Sequence, residues 1–306
     1  MLLAALHSQN RSRPPVWLMR QAGRYLPSYQ RYREKYPLRE LFFTPELAAE
    51  ITLLPVQELG VDAAILFSDI TVTALPLGYS LHFSEGPILE KGGVIQGMES
   101  LQPIQQAIRL IKPRLKVPLI GFCGGPYTVA SYMGGAAELL EPLLQTTLQY
   151  VAMQIEAGVD AIQIFDSWAN ELSEEAFKAY AEKYLQPIVA ASSVPVILFM
   201  REAYKYIDTL VGMAPKAISF GWEKPLHELR SRVPMAVQGN LNPELLFQPL
   251  QEIRKEVQRL LFSMRGDSGF ILNLGHGVKP GTPVDAVRCC IDTVKESVVG
   301  SDPCTR

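Results

Sequence analysis

Eight short apolar runs, each followed by turn residues and most of them by a helical pattern, constrain the fold of this chain more than any other feature. The runs are continuous rather than alternating in polarity, which is typical of strands buried on both faces of a parallel sheet. We therefore predict strands covered by helices at 16–19, 61–67, 117–122, 159–165, 195–200, 216–220, 235–238 and 270–274.

Eight strand–helix units in about 300 residues match the size of a (β/α)8 barrel. We predict an α/β fold, a (β/α)8 TIM barrel in which residues 1–306 form a single domain, because no low-complexity linker or composition shift marks a boundary. A doubly wound sheet is the alternative. It usually carries a phosphate-binding fingerprint after its first strand, and neither G-x-G-x-x-G nor G-x-x-x-x-G-K-[ST] is found here.

Helical patterns fill most of the gaps between the predicted strands. Thr44 is predicted to be the N-cap of a helix that has Pro45 at its first position. Ser173 is predicted to begin another helix. The stretch 71–97 is irregular and has room for at most a small hairpin around 84–87. Helices are predicted near 47–59, 101–112, 127–133, 138–157, 173–191, 202–211, 225–231, 243–262 and 283–297.

The charge balance and the cysteines indicate a cytoplasmic protein with a small-molecule partner. A net charge of -2 and a pI near 6.1 give no reason to expect nucleic acid or an anionic membrane, so an anion site must be a local pocket. The apolar N-terminus is too short for a signal peptide, and no run approaches a membrane span. No CxxC or disulfide-framework spacing connects the four cysteines, which favours a reducing compartment. They are Cys123, Cys289, Cys290 and Cys304.

Two arginines follow the first predicted strand directly. Arg20 and Arg24 are four residues apart, with Gly23 between them. Guanidinium groups on a glycine-containing loop at a strand end are suited to bind carboxylates or phosphates. The alternative is a pair of surface arginines at a strand edge.

Other polar residues follow the remaining strands, where barrel enzymes place their chemistry. Asp69 follows an apolar strand, and it is either a helix cap or arginine partner, or an acceptor that stabilises positive charge on a ligand. Ser167 has no G-x-S-x-G context and is more often a turn residue. His276 lies in a glycine-rich loop of the kind that binds phosphate in many barrels, which leaves a generic phosphate site open. No histidine has metal-ligand spacing, so we predict no metal site.

Six segments occur in the order and with the composition of one family's motifs. The first reads Arg13-Pro-Pro-Val-Trp-Leu-Met-Arg20-Gln-Ala-Gly-Arg24-Tyr-Leu-Pro27. On these motifs the chain resembles the uroporphyrinogen decarboxylases over nearly its whole length. The six segments are 13–27, 64–69, 118–122 with 131–133, 163–168, 238–243 and 273–277.

The resemblance implies a cofactor-free carboxy-lyase of heme and tetrapyrrole biosynthesis with a (β/α)8 fold, usually a homodimer. Its reaction removes the four acetate carboxyls of uroporphyrinogen III and gives coproporphyrinogen III and carbon dioxide. Asp69 would accept pyrrole N–H groups and stabilise a protonated pyrrole, with Arg20 as a second catalytic candidate. The substrate-binding residues implied are Arg20, Gln21, Ala22, Gly23, Arg24, Asp69, Tyr132, Ser167 and His276.

The chain also departs from the family pattern. The stretch 78–101 and the loop after Tyr132 are shorter, and Gly221 and Asn242 each replace an aspartate. The short loops leave open a non-catalytic porphyrin-binding relative. A related barrel methyltransferase acting on a corrinoid or thiol would need a His-x-Cys zinc pair near the eighth strand, and a valine follows His276-Gly277 instead.

Overall fold

The computed structural model, which describes residues 1–92, 95, 97–135 and 137–297, contains one sheet of seven parallel strands and a separate two-stranded hairpin. Cys304 lies outside these residues. The sheet order is β1-β4-β5-β6-β7-β8-β9, so neighbours along the sheet follow each other along the chain. The strands are β1 Ala64–Ile65, β2 Tyr79–Phe83, β3 Pro87–Lys91, β4 Leu119–Gly124, β5 Ala161–Phe165, β6 Val196–Phe199, β7 Ala217–Ser219, β8 Ala236–Leu241 and β9 Phe270–Leu274.

Residues 15–17 close this sheet into a barrel by lying between its two edge strands. On one side, Leu272 of β9 donates its N–H to the carbonyl of Pro15 at 2.9 Å and accepts from the Trp17 N–H at 3.4 Å. On the other side, the N–H of Asp62 donates to the Val16 carbonyl at 2.8 Å. The predicted (β/α)8 barrel is therefore confirmed, with its first strand reduced to a single parallel bridge between Val16 and Leu272.

The predicted strands and helices are found close to their expected positions. The predicted helix 173–191 is interrupted by a π-helical turn at Ala181–Leu185, and 243–262 begins with a 3₁₀ turn at Pro243–Phe247. The helices are α1 Leu2–Leu6, α2 Pro27–Lys35, α3 Leu38–Phe43, α4 Pro45–Leu59, α5 Gln102–Ile111, α6 Pro126–Tyr132, α7 Leu140–Ala157, α8 Glu174–Tyr180, α9 Gln186–Ala191, α10 Ile207–Gly212, α11 Leu226–Arg230, α12 Leu250–Ser263 and α13 Val284–Glu296.

Several short helical segments lie outside the predicted helices. Helices α1, α2 and α3 are short, and α2 buries only Ser28 and Tyr29, so none of them shows an extended apolar periodicity. The stretch 71–97, predicted to be irregular, opens with a 3₁₀ helix at Ile70–Leu77 that ends at Gly78. A 3₁₀ helix repeats every three residues and so escapes a search for the 3.6-residue period. The small hairpin predicted around 84–87 is confirmed as β2 and β3.

A hydrogen-bonded cluster of buried side chains crosses the barrel interior beneath its first strand. The indole N–H of Trp17 donates to Gln238 Oε1 at 3.0 Å. Gln238 Nε2 donates to Gln163 Oε1 at 3.1 Å and to Ser219 Oγ at 3.0 Å. All four side chains are fully buried, and paired polar groups in a low-dielectric interior fix a unique arrangement. Residues 17–19, which lead to Arg20, are anchored by this cluster and by the bond from Met19 N–H to Asn273 Oδ1 at 3.1 Å.

The seam between the first strand and β1 depends on one carboxylate. The Asp62 carboxylate accepts hydrogen bonds from both terminal nitrogens of Arg13, at 2.6 and 2.9 Å, and from the backbone N–H of Val16 at 2.8 Å. The Asp62 side chain is only 9% exposed, so this pair is poorly screened by water. Closure of the barrel therefore depends on an ion pair between two residues that are 49 positions apart in the chain.

We expect Asp62→Ala to lower the free energy of unfolding by about 3 kcal/mol, because it leaves a largely buried guanidinium and the Val16 N–H without an acceptor. Urea denaturation measures this change. The control is Asp208→Ala, whose carboxylate pairs with Arg232 but is 87% exposed, and which should cost less than about 1 kcal/mol. Equal losses in the two variants would contradict the importance of the seam.

Candidate active site

A cavity of about 250 Å³ opens at the carboxyl ends of the barrel strands, a region called the barrel mouth below. Parallel strands bring the residues that follow them to the same edge, so positions far apart in the chain meet here. Seven of the nine predicted site residues line the cavity: Arg20, Ala22, Gly23, Arg24, Asp69, Ser167 and His276.

Arg20 and Arg24 lie at the cavity in an unusual backbone conformation. Both are exposed, and both have a positive φ, 63° for Arg20 and 75° for Arg24. Left-handed backbone at a non-glycine residue costs on the order of 1–2 kcal/mol and is concentrated at functional sites. Within the described part of the chain neither guanidinium forms a hydrogen bond or ion pair. The loop therefore presents two cations that are free for a ligand.

The loop between the two arginines is held by Gln21. Its side chain accepts from the Leu18 N–H at 3.0 Å and donates to the carbonyl of Ala63 at 2.9 Å. Its own N–H donates to the Leu18 carbonyl at 3.0 Å, and the residue is fully buried. The structure thus places Gln21 behind the cavity wall and not in it, because a buried amide must find partners within the protein.

Asp69 caps a helix, as one interpretation of its sequence position predicted. One carboxylate oxygen, Oδ1, accepts from the N–H of Thr71 at 2.9 Å and from its hydroxyl at 2.6 Å, which caps the 3₁₀ helix that follows. No hydrogen bond from the described residues reaches Oδ2, and neither mouth arginine pairs with this carboxylate. The cap therefore orients Asp69 and leaves one charged oxygen for a ligand.

His276 is neutral at physiological pH. Its ring is half-buried and lies 6.0 Å from the ring of Phe199 at the end of β6. Burial, followed by the positive charges of Arg20, Arg201 and Lys279, lowers its pKa to about 4. A neutral imidazole both donates and accepts a hydrogen bond, so His276 contributes polarity without adding a third charge beside Arg20.

Ser167 is positioned by the buried carboxylate that precedes it. Asp166 accepts from the Thr128 N–H at 3.0 Å, the Thr128 hydroxyl at 2.6 Å and the Tyr180 hydroxyl at 2.6 Å. Burial raises the pKa of Asp166, although these hydrogen bonds oppose the effect. A Cβ at Gly125 would lie 2.2 Å from the Asp166 carboxyl carbon, so only glycine fits against it. Asp166 is fully engaged in the scaffold and holds Ser167 at the cavity.

Tyr132 does not line the cavity. It is the last residue of α6, and its ring packs edge-on against Trp168 at 5.6 Å. Trp168 directly follows Ser167, so Tyr132 supports the loop that carries Ser167. The loop after Tyr132 is short, and residue 136 within it lies outside the described residues.

Seven aromatic side chains line the cavity, and the sequence interpretation did not identify them as site residues. Phe165 and Phe199 are the last residues of β5 and β6, and their rings lie 5.8 Å apart. Phe67 packs against Phe42 at 4.6 Å on the other side. The positions at which strands end, rather than those just beyond them, would have revealed Phe165 and Phe199. The aromatic lining consists of Tyr29, Phe42, Phe67, Phe83, Phe122, Phe165 and Phe199.

The departures at 78–101 and at Asn242 have structural explanations, whereas Gly221 has none, because the atoms nearest to an added Cβ there belong to the exposed and flexible Glu223 side chain. The shortened stretch 78–101 still supplies a wall, because the turn of the β2–β3 hairpin at 83–87 lines the cavity. Asn242 caps the turn that begins at Pro243, and its Oδ1 accepts the Glu244 N–H at 3.0 Å as an aspartate would. At Gly221, an added Cβ would lie 2.2 Å from a carboxylate oxygen of Glu223.

The described residues show neither a metal site nor a membrane-spanning helix. Among them, no group of three or more His, Cys, Asp and Glu side chains is arranged to hold a metal ion. Within the same residues, no helix combines the length and the apolar character that crossing a bilayer requires.

Comparisons with known proteins agree with the motifs. The family model described as uroporphyrinogen decarboxylase (URO-D) matches residues 1–297. The chain is 44% identical to a uroporphyrinogen decarboxylase of Protochlamydia amoebophila, over 96% of this chain and 91% of that protein. It is 37% identical to one of Thermus thermophilus, over 97% of each. A methyltransferase from Methanosarcina mazei shares the fold, with a TM-score of 0.81 at 21% identity, over 96% of this chain and 97% of that one.

We expect the His276 ring to change charge near pH 4 rather than near its ordinary value of 6.5. Arg20→Gln removes a neighbouring cation that disfavours the imidazolium, so the pKa should rise in this variant. NMR titration of the ring protons, assigned with His276→Gln, measures both values. An unchanged pKa in Arg20→Gln would show that the guanidinium is too far from the ring to act on it.

Proposed function

Since this chain belongs to the uroporphyrinogen decarboxylase family, we propose that its barrel mouth removes the four acetate carboxyls of uroporphyrinogen III to give coproporphyrinogen III and carbon dioxide. The protein is then a carboxy-lyase of heme and tetrapyrrole biosynthesis that needs no cofactor. Action as a homodimer in the cytoplasm is part of the same proposal, on the family resemblance alone.

One observation supports this assignment above the others. A carboxylate with a free oxygen, Asp69, lines the same cavity as two arginines without an internal partner among the described residues. The substrate has the complementary arrangement, with pyrrole N–H donors at its centre and carboxylates around its rim. A carboxylate that is already capped needs little reorganisation when it accepts those N–H groups.

Arg20 and Arg24 bind the carboxylates of the rim. Guanidinium forms bidentate pairs with carboxylates, which fixes orientation as well as affinity. The fully buried Gln21 and the left-handed backbone hold the loop in shape before substrate arrives. His276, which is neutral, and Ser167 add hydrogen-bonding groups to the same cavity.

The reaction needs an electron sink, and a pyrrole protonated at a ring carbon supplies one. The bond between the acetate methylene and its carboxylate breaks, the electron pair moves into the cationic ring, and carbon dioxide leaves. The resulting exocyclic methylene takes up a proton to become a methyl group, and the ring carbon releases its proton. Each arm therefore consumes one proton and releases one carbon dioxide.

Asp69 stabilises the pyrrole cation formed in this sequence. A fixed anion beside a developing positive charge lowers the transition state more strongly where water is excluded. Aromatic side chains line the same cavity, which makes the surroundings of this charge less polar than bulk water. Arg20 is a very weak acid, so we assign it to positioning the acetate first.

We expect Asp69→Asn to reduce decarboxylation by several orders of magnitude while the fold is retained, because the amide keeps the volume and loses the charge. Carbon dioxide release from uroporphyrinogen III measures the effect, and circular dichroism checks the fold. Asp208→Asn, a change of the same type at an exposed carboxylate, serves as the control.

Two outcomes would count against the proposal. Near-normal turnover in Asp69→Asn would remove Asp69 from its assigned role. Absence of carbon dioxide release by the unmodified protein, with uroporphyrinogen still bound, would instead favour a porphyrin-binding protein without catalysis.

Gly277 positions Arg20, and its substitution gives an independent test. A Cβ at Gly277 would lie 2.6 Å from Cδ and 2.9 Å from Cγ of Arg20, so the arginine stem lies directly over this glycine. Gly277→Ala should displace the guanidinium and raise the KM for uroporphyrinogen several-fold. Gly212→Ala is the control, because a Cβ there meets nothing within 4 Å. Equal KM values in the two variants would contradict a positioning role for Gly277.

A further inference from the structure

We infer that Arg201 forms a third carboxylate-binding subsite, on the side of the barrel mouth opposite Arg20 and Arg24. The inference deepens the proposed function, on which it rests, because it assigns a residue to carboxylates of the substrate that the first two arginines cannot reach.

The barrel order places Arg201 across the mouth. Counting residues 15–17 as the first strand, the order continues through β1, β4, β5 and β6, so β6 is the fifth of eight. Arg20 follows the first strand and Arg201 follows β6. The first and fifth positions of an eight-stranded barrel lie on opposite sides, so the two arginines enter the mouth from opposite sides.

Arg201 is exposed and has no hydrogen-bond or ion-pair partner in the part of the chain that the structure describes. The adjacent carboxylate is already occupied. Glu202 pairs with Lys205 at 2.9 Å and accepts from the amide of Asn170 at 3.1 Å, and these contacts lower its pKa. Arg201 thus presents an uncompensated charge in the same way as Arg20 and Arg24.

The residue after Arg201 has a positive φ, as Arg20 and Arg24 themselves do. Glu202 has a φ of 51°, and it is one of five non-glycine residues in the described chain with a positive φ. Three of those five, Arg20, Arg24 and Glu202, lie at the barrel mouth. Strained backbone persists where surrounding contacts hold it, and here the bonds from Glu202 to Lys205 and Asn170 do so.

His276 connects the two sides of the mouth. Its ring packs against Phe199, which is two residues before Arg201, and both Arg20 and Arg201 lie close enough to depress its pKa. Phe199 and His276 both line the cavity. A ligand that fills the cavity from Arg20 to Phe199 therefore extends toward the strand end that Arg201 follows, although Arg201 itself lies outside the cavity lining.

The substrate chemistry explains why a third cation is useful. Uroporphyrinogen has carboxylate arms on all four pyrroles, so arms on opposite pyrroles point in opposite directions. Arg20 and Arg24, four residues apart on one loop, serve one side of the macrocycle only. A cation on the far side holds a distant arm while the near arm reacts, which adds binding energy without taking part in bond breaking.

The test is Arg201→Gln, compared with Arg109→Gln, which removes an equally exposed charge on α5, and with Arg201→Lys. We expect Arg201→Gln to raise the KM for uroporphyrinogen about 10-fold with kcat nearly unchanged, as for loss of one charge-assisted hydrogen bond. Arg201→Lys should recover part of the affinity. The dependence of KM on salt concentration should become less steep, and the pKa of His276 should rise.

The outcomes separate this inference from the proposed function. If the unmodified protein releases carbon dioxide and Arg201→Gln has the KM of Arg109→Gln, or loses kcat at unchanged KM, the subsite is wrong and the function stands. If the unmodified protein releases none, the function is wrong. In that case binding of oxidised uroporphyrin, measured by fluorescence, decides the subsite by the same comparison of Arg201→Gln with Arg109→Gln.

Discussion

The arrangement of the site depends on the insertion of residues 15–17 between β9 and β1. The Asp62 carboxylate holds this segment through Arg13 and the Val16 N–H, while Leu272 pairs with it on the other side. Because the segment is anchored on both sides and by the Trp17–Gln238 bond below, the chain leaves the barrel at a defined point. Closure of the barrel therefore places Arg20 and Arg24 at the mouth. The backbone hydrogen bonds that complete the sheet also position these two cations.

The two aspartates at the mouth differ in how many of their carboxylate oxygens are hydrogen-bonded within the protein. Asp166 is fully buried, and three hydrogen bonds from Thr128 and Tyr180 occupy both of its oxygens. Asp69 binds Thr71 through one oxygen only. Both follow apolar strands, yet the first belongs to the scaffold and the second is available to a ligand. The difference arises from Tyr180, whose hydroxyl donates to the second oxygen of Asp166 at 2.6 Å, whereas no described residue donates to the second oxygen of Asp69.

The barrel mouth carries unpaired positive charge although the whole molecule has a negative net charge. The chain has a net charge of -2, but Arg20, Arg24 and Arg201 have no carboxylate partner among the described residues. Arginine without a partner is costly only if it is buried, and these side chains are exposed, so their charge is available to a polyanionic ligand at little cost in stability. Burial, followed by the same concentration of positive charge, lowers the pKa of His276 and favours its neutral form.

The amino-acid sequence by itself determined the eight strands, the longer helices, the family and seven of the residues that line the cavity, because apolar periodicity and motif spacing are local properties of the chain. Only the tertiary structure decided the rest. Gln21 and Tyr132 lie behind the cavity lining and support it, since their side chains contact Ala63 and Trp168, which are distant in sequence. The aromatic lining, the free oxygen of Asp69 and the position of Arg201 opposite Arg20 likewise depend on which strands meet when the barrel closes, and no local pattern records that.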